Sequence, residues 1–366
     1  MKTSTLTEFL LANGESRKEG EYAVVTTYTD TNEEYGVLRS AIGLIDFSAA
    51  GKFRIGGDEH VQFVNRLVTK DIEFLDVEKS IYTAMLFEDG RIMDLVTLYK
   101  QEDAIIMEAS PERRDQVWNW LMEQKLEDVE LEDLSDAWAS IAFEGPYAWK
   151  LGQSLVNFEI SSLPFQSFVE IEWKGHKSML ARVGGTGEYG YKLIIPAELA
   201  IESWNELLGF TEDDLKVQAV GQEALDVSFL EVRQPSIKVE GLNLNLYEAC
   251  LEWLLTPHKE EFIGISALQG QKEKADGRKL VGFTFNKENE LNQGDDLLIE
   301  DTKVGHVMQV HYSPSLEKNL GIGIVEQFFA VSGIEMEGLN TAGERVIVET
   351  KSSPYVLPKS WSIKIL

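Results

Sequence analysis

The chain of 366 residues carries 62 acidic against 34 basic residues, a formal net charge of −28, and 43% of it is hydrophobic. Such a surface repels phosphate backbones and anionic lipids, so neither nucleic acid nor membrane is expected as a partner. The length and the 17 Phe, 11 Tyr and 8 Trp suit two or three packed domains and exclude a disordered chain, while a lone cysteine, Cys250, excludes an internal disulfide and any multi-cysteine metal site.

The first residues (MKTSTLTEFLLANGES) break their apolar patch at Glu8, and no apolar run approaches the roughly 20 residues of a membrane span. A cytoplasmic setting is expected. From Val37 onward short strands and helices alternate. Lys52 to Ile55 reads as a strand, Gly56-Gly57 as a turn, and Asp58 as the cap of a helix presenting Val61, Val64 and Leu67. Tyr82 to Phe87, the turn Glu88-Asp89-Gly90 and Ile92 to Lys100 read as a β-hairpin. Ala104 to Glu108 adds a strand, and Pro111 is expected to open a helix with Val117, Trp118 and Leu121 on one face. The acidic stretch from Glu123 to Asp136 keeps Leu126, Val129, Leu131 and Leu134 for packing and reads as a solvated surface element.

Met179 to Val183, a glycine-rich turn from Gly184 to Gly190, and Tyr191 to Pro196 read as strand, turn, strand, with a helix from Glu198. The run Gly185-Thr-Gly-Glu-Tyr-Gly190 fits a dinucleotide-binding pattern, but that pattern needs a helix after the glycines, and here a strand follows. What the glycines supply is a tight turn that lets backbone approach a ligand. Glu188 at its tip reads equally as a ligand contact or a turn carboxylate. Beyond Asp276-Gly277 five strands separated by turns (Leu280 to Phe285, Asp296 to Glu300, Lys303 to Val310, Gly321 to Val325, Arg345 to Glu349) give a separate all-β domain. The five histidines show no metal-ligand spacing, and neither a phosphate-binding loop nor a nucleophile elbow is present.

Six segments in order carry a resemblance: Gly43-Leu-Ile-Asp-Phe-Ser48; Tyr82-Thr-Ala-Met-Leu86 with Asp89-Gly90; Ile141-Ala-Phe-Glu-Gly-Pro146; Arg182 through Tyr191; Phe262-Ile-Gly264 with Lys279-Leu-Val-Gly282; and Gly305-His-Val with Ser313-Pro314. Together they resemble the aminomethyltransferase family, which includes the glycine-cleavage T-protein. The resemblance implies an α+β fold of two mixed α/β subdomains (residues 1–275) and a C-terminal β-barrel (residues 276–366) around a central hole. It also implies tetrahydrofolate as cofactor and a small-molecule methyl or aminomethyl donor.

Residue by residue, the resemblance places the catalytic carboxylate at or beside Asp94 and cofactor-binding positions at Tyr82, Glu108, Glu188, Lys192 and Glu231. An ungapped reading from Tyr82 puts Leu95, not Asp94, where the family's second aspartate stands, and strand neighbours face opposite sides unless a bulge intervenes. Glu108 replaces the family's asparagine, Lys192 its glutamate, Gly185 its turn tyrosine and Phe229 its arginine. The segments typical of the true T-protein's N-terminus, and of the tRNA-modification-linked branch, are missing. Two readings follow: a folate-dependent one-carbon transferase or demethylase acting on an N-, O- or S-linked donor, or a relative whose folate chemistry is lost or altered, acting as a binding or regulatory protein or on another cofactor. Pairing of Glu108 with Lys192 across a closed hole would favour the second.

Overall fold

Short apolar strands, rather than any long helix, organise the chain, which a computed structural model describes for residues 1–272 and 277–365. A 12-stranded sheet runs in the spatial order Thr211–Glu212, Leu215–Ala219, Ile42–Asp46, Trp138–Glu144, Gly190–Pro196, His176–Arg182, Ser167–Trp173, Lys79–Leu86, Ile92–Lys100, Ala104–Ala109, Gly51–Gly56 and Glu130–Asp133. The sheet curls so strongly that Lys192 and Glu108, on strands with four others between them, touch. One half packs around Ile42, Phe143, Tyr191 and Trp204, the other around Phe53, Phe63, Met93 and Leu121.

The expected hairpin forms, with Tyr82 opposite Thr97 and Ala84 opposite Leu95. Gly90 takes φ +83° at its turn, a left-handed conformation that side chains with a Cβ rarely adopt. Two helix starts differ from expectation. The helix His60–Leu67 is preceded by Glu59, whose side chain makes no cap bond, and Asp58 lies outside it. Pro111 sits in a turn, and the helix begins only at Arg114, with Val117 and Leu121 buried. In the acidic stretch, Val129 and Leu134 are buried while the glutamates and aspartates between them remain largely exposed, which is how so charged a segment stays packed.

Ahead of Val37 lie a helix Thr5–Leu10, a hairpin of Glu15–Glu19 with Tyr22–Thr27, and a helix Thr31–Ser40 capped by Asp30, whose carboxylate accepts from Asn32 N at 2.9 Å and Glu33 N at 3.2 Å.

The C-terminal strands close a barrel in the order Arg278–Phe285, Lys318–Glu326, Thr302–Ser313, Asp296–Ile299, Glu335–Leu339 and Arg345–Lys351. Alternation along Arg278–Phe285 serves two cores: Val281, Phe283 and Phe285 fill the barrel, while Leu280 packs outward with Ala84, Leu95, Leu230 and Leu246. Glu335–Leu339 had no strand signal because two glutamates and Gly338 dilute it; Gly338 is needed, since a Cβ there would come within 2.6 Å of Leu291 Cδ1. The expected domain division at 275/276, with Asp276 of the turn, lies outside the described residues. Among the described residues no helix is long and apolar enough to cross a membrane.

Candidate active site

A cleft of about 390 Å³ opens on the inner face of the curled sheet, lined from one side by Tyr82, Leu95, Thr97 and Glu108 and from the other by Gly184, Gly185 and Lys192. A second cleft of about 780 Å³ between this region and the barrel shares Phe165, Gly184, Gly185, Gln234 and Trp253 with the first. Clefts of this size accommodate small organic ligands and cofactors.

The floor is an ion pair. Lys192 Nζ donates to Glu108 Oε2 at 2.6 Å, with the two side chains 12% and 8% exposed. Tyr99 Oη donates to the same oxygen at 3.0 Å, and Lys192 Nζ also lies 4.7 Å from the centre of the Phe47 ring. Glu108 Oε1 is buried with no protein partner. Burial pushes the Glu108 carboxyl upward, but the charges of Lys192 and Lys52 and the bonds from Lys192 and Tyr99 outweigh it and hold the pKa below the usual carboxylate value. Burial brings Lys52 down to about 8, although its Nζ donates to Ser48 O at 3.1 Å and Ala50 O at 2.9 Å. The pair does not shut the opening: the cleft remains above it.

Tyr82 stacks on Trp253 with ring centres 6.4 Å apart, giving the cleft an aromatic wall. The glycine-rich turn is moulded by Glu144, whose Oε2 accepts from Gly185 N at 3.1 Å, Thr186 N at 3.0 Å and Thr186 Oγ1 at 2.7 Å. A Cβ at Gly185 would come within 2.7 Å of the Phe229 ring. Gly185 and Phe229 are therefore matched: the missing side chain in the turn leaves room for the ring on the helix Gln222–Val232.

Of the expected site residues, Tyr82, Glu108 and Lys192 meet at the cleft; Asp94, Glu188 and Glu231 do not line it. A bulge does interrupt the hairpin, but it lies beyond Asp94, with Met93 the extra residue. The register from Tyr82 to Met85 is unbroken, so Leu95 and Thr97 share the cleft with Tyr82 while Asp94 is buried and absent from its lining. Asp94 there accepts from Ser110 Oγ at 2.8 Å, Ser110 N at 3.0 Å and Leu95 N at 2.8 Å, and burial still pushes its carboxyl up to about 6.

Glu188, with its side chain fully enclosed, accepts from Lys359 N at 2.9 Å and Ser360 N at 2.8 Å and so clasps the C-terminal segment. Glu231 accepts from Tyr35 Oη at 2.8 Å, Ser313 Oγ at 2.5 Å and Arg39 Nη2 at 2.8 Å, tying the barrel to the N-terminal helices. Arg39 joins both carboxylates, with its Nη1 3.5 Å from Glu188 Oε1. Sequence reasoning gave Arg39 no role, since nothing local marks it.

Glu112, Glu144, Gln234 and Trp253 also line the cleft without having been singled out. Glu144 sits inside one of the six diagnostic segments and was recoverable from them. Glu112 lies in an irregular turn with no pattern of its own. Burial, together with the neighbouring Glu19 carboxylate and against the pull of Lys238, pushes the Glu112 carboxyl upward.

Residues 9–259 match the family model described as the GCVT N-terminal domain, and residues 278–356 match the glycine cleavage T-protein C-terminal barrel domain. The chain belongs to the aminomethyltransferase family. An aminomethyltransferase of Lysinibacillus sphaericus is 29% identical over 340 residues, covering 92% of each chain, and one of Thermotoga maritima is 31% identical over 303 residues, covering 82% of each. The crystal structure of the glycine cleavage system aminomethyltransferase T from Bartonella henselae superposes with a TM-score of 0.89 over 98% of both chains at 22% identity, which establishes the shared fold. The expected fold class and family are thereby confirmed.

Proposed function

We propose that this member of the aminomethyltransferase family is an enzyme that transfers a one-carbon unit from a small N-, O- or S-linked donor to tetrahydrofolate bound over the Glu108–Lys192 pair. The observation that carries the reading is Glu108 Oε1, a buried acceptor without a protein partner at the floor of an open cleft. A reduced pterin presents a planar, guanidine-like edge of N–H donors, which is the complement that such an oxygen lacks. Lys192 neutralises the carboxylate from the other side, so the site holds an acceptor without an excess charge.

Tetrahydrofolate supplies the amine that receives the one-carbon unit. The protein's part is binding and orientation. Tyr82 and Trp253 offer flat apolar surfaces, Leu95 and Phe229 keep water from the reacting centre, and the backbone at Gly184 and Gly185 permits close approach. Asp94, Glu188 and Glu231 act in this reading as supports: Asp94 holds a turn, and the two glutamates hold the domains in place. The larger neighbouring cleft, with Arg233, Tyr355 and Trp361 in its wall, is the proposed entry for the donor. We further propose that residues 1–275 and 276–366 form the folate-binding region and the barrel domain.

The reading of a relative with lost or altered folate chemistry was motivated by the departures at Leu95, Glu108, Lys192 and Phe229, and a Glu108–Lys192 pair across a closed hole would have favoured it. The pair forms beneath an open cleft, so that added support is missing. Equilibrium binding of tetrahydrofolate to the intact protein tests the proposal. Saturable binding is expected, weakened roughly tenfold in Glu108→Gln, and no binding at about 1 mM ligand would overturn it.

A further inference from the structure

Five carboxylates line the smaller cleft, and four of them are committed. Glu19 pairs with Arg17 and Lys238, Asp46 accepts from Thr7 Oγ1 and Ser48 N, Glu108 pairs with Lys192, and Glu144 holds the glycine-rich turn. Glu112 is the fifth. It is half-buried, and among the described residues its carboxylate has no ion-pair or hydrogen-bond partner on another residue.

The turn that carries Glu112 is clamped from two directions. Asp94 grips Ser110 through both its N–H and its hydroxyl, and the Arg113 N–H closes the turn on Ser110 O at 3.1 Å. On the other side, Gly20 lies so close that a Cβ there would be 2.6 Å from Pro111 O and 2.8 Å from Glu112 Cα. An unpaired carboxylate on a fixed backbone, lining a cleft to which the strand Ile92–Lys100 contributes only Leu95 and Thr97, is placed to exchange a proton with whatever occupies that cleft.

We infer that Glu112 is the catalytic acid–base carboxylate of the transfer reaction, and that Asp94 is a positioning residue that holds the Glu112 turn. The inference rests on the proposed folate-dependent function. In the transfer, the bond from the one-carbon unit to its donor atom breaks with the electron pair going to that atom, and a carbon–nitrogen bond forms to the acceptor amine. Glu112, protonated at the outset, gives its proton to the departing donor atom and takes back the proton that the amine gives up, so the donor leaves protonated, Glu112 is regenerated, and nothing is oxidised or reduced. The charged groups facing Glu112 are Glu19 on Glu15–Glu19, Lys238 on Ile237–Glu240 and Asp94 on Ile92–Lys100. Burial and the two carboxylates outweigh Lys238 and favour the protonated form, which suits a group that must hold a proton near neutral pH.

Calorimetric titration of the full-length protein with tetrahydrofolate, repeated in buffers of different ionisation enthalpy and across pH, measures the protons exchanged on binding. Wild type is expected to show proton exchange with a pH dependence centred above the ordinary glutamate value of about 4.3. Glu112→Gln is expected to bind but lose that dependence, and Glu112→Asp to keep it at a shifted midpoint. Asp94→Asn, which loosens the turn without removing the acid, is expected to move the midpoint without abolishing the exchange. Failure of wild type to bind tetrahydrofolate overturns the functional reading; binding with proton exchange unchanged in a folded Glu112→Gln overturns only the role of Glu112.

Discussion

Replacing Lys192 by Met removes the cation 2.6 Å from Glu108 Oε2 at a place where the Glu108 side chain is 8% exposed. Stranding a carboxylate at such depth costs about 3–5 kcal/mol. Tyr99 Oη still donates at 3.0 Å and the Lys52 charge remains nearby, so the low end, about 3 kcal/mol, is expected. Glu108→Gln should cost less, about 1.5 kcal/mol, because Lys192 faces the cleft and can be hydrated there. With both changes no unpaired charge is left at the pair, and about 2 kcal/mol is expected, a coupling of about 2–3 kcal/mol between the two sites. Urea unfolding of the four proteins near neutral pH, followed by tryptophan fluorescence, gives all the terms. Single-mutant losses that add to the double-mutant loss within about 0.5 kcal/mol would show that the pair is not the buried, interdependent unit described.

Three further outcomes are expected. The Asp94 carboxyl is raised from 3.8 to about 6, so the folded state favours its acid form; this stability is fully present below the unfolded value and is lost as pH rises through about 6, a loss of about 3 kcal/mol that Asp94→Asn should remove from the pH profile of unfolding. Gly185→Ala should cost about 1–3 kcal/mol by driving a Cβ against Phe229, and thermal unfolding should show most of that cost vanishing in a Phe229→Ala background. Glu188→Gln turns an amide N–H toward the donors of Lys359 and Ser360, so about 2 kcal/mol is lost locally and limited proteolysis should cut faster after residue 355.

Strand order was not visible in sequence, and the barrel was expected only through the family resemblance. The strands that were read directly stood out as short apolar or alternating runs between turn residues, as in Ala104–Ala109, buried throughout, and Arg345–Lys351, buried at every second residue. The sixth barrel strand escaped because Glu335–Leu339 buries only Met336 and Gly338. At the site, the segments around Tyr82 and Lys192 were legible because they belong to long, ordered motifs. Among the departures from the family pattern, Glu108 and Lys192 already pointed to an ion pair, whereas Gly185 and Phe229 gave no sign that they belong together. In three dimensions they combine, Glu108 with Lys192 and Gly185 with Phe229, and neither partnership is local in sequence. The facing of Asp94 was left open because a bulge anywhere in the hairpin could have turned it; the extra residue is Met93, beyond Asp94, so the ungapped reading from Tyr82 holds and Leu95 lines the cleft. Glu112 escaped because an irregular turn has no period to read.

The clasp of Glu188 on Lys359 and Ser360 bears on how the molecule assembles during synthesis. Its partners are made 171 and 172 residues later, so while the ribosome is still at work this carboxylate has only Arg39 and water to compensate it. The sheet, and the tie from Glu231 to Ser313 of the barrel, need nothing beyond residue 313, whereas the clasp that brings Pro358 and Trp361 to the wall of the larger cleft waits for Lys359 and Ser360.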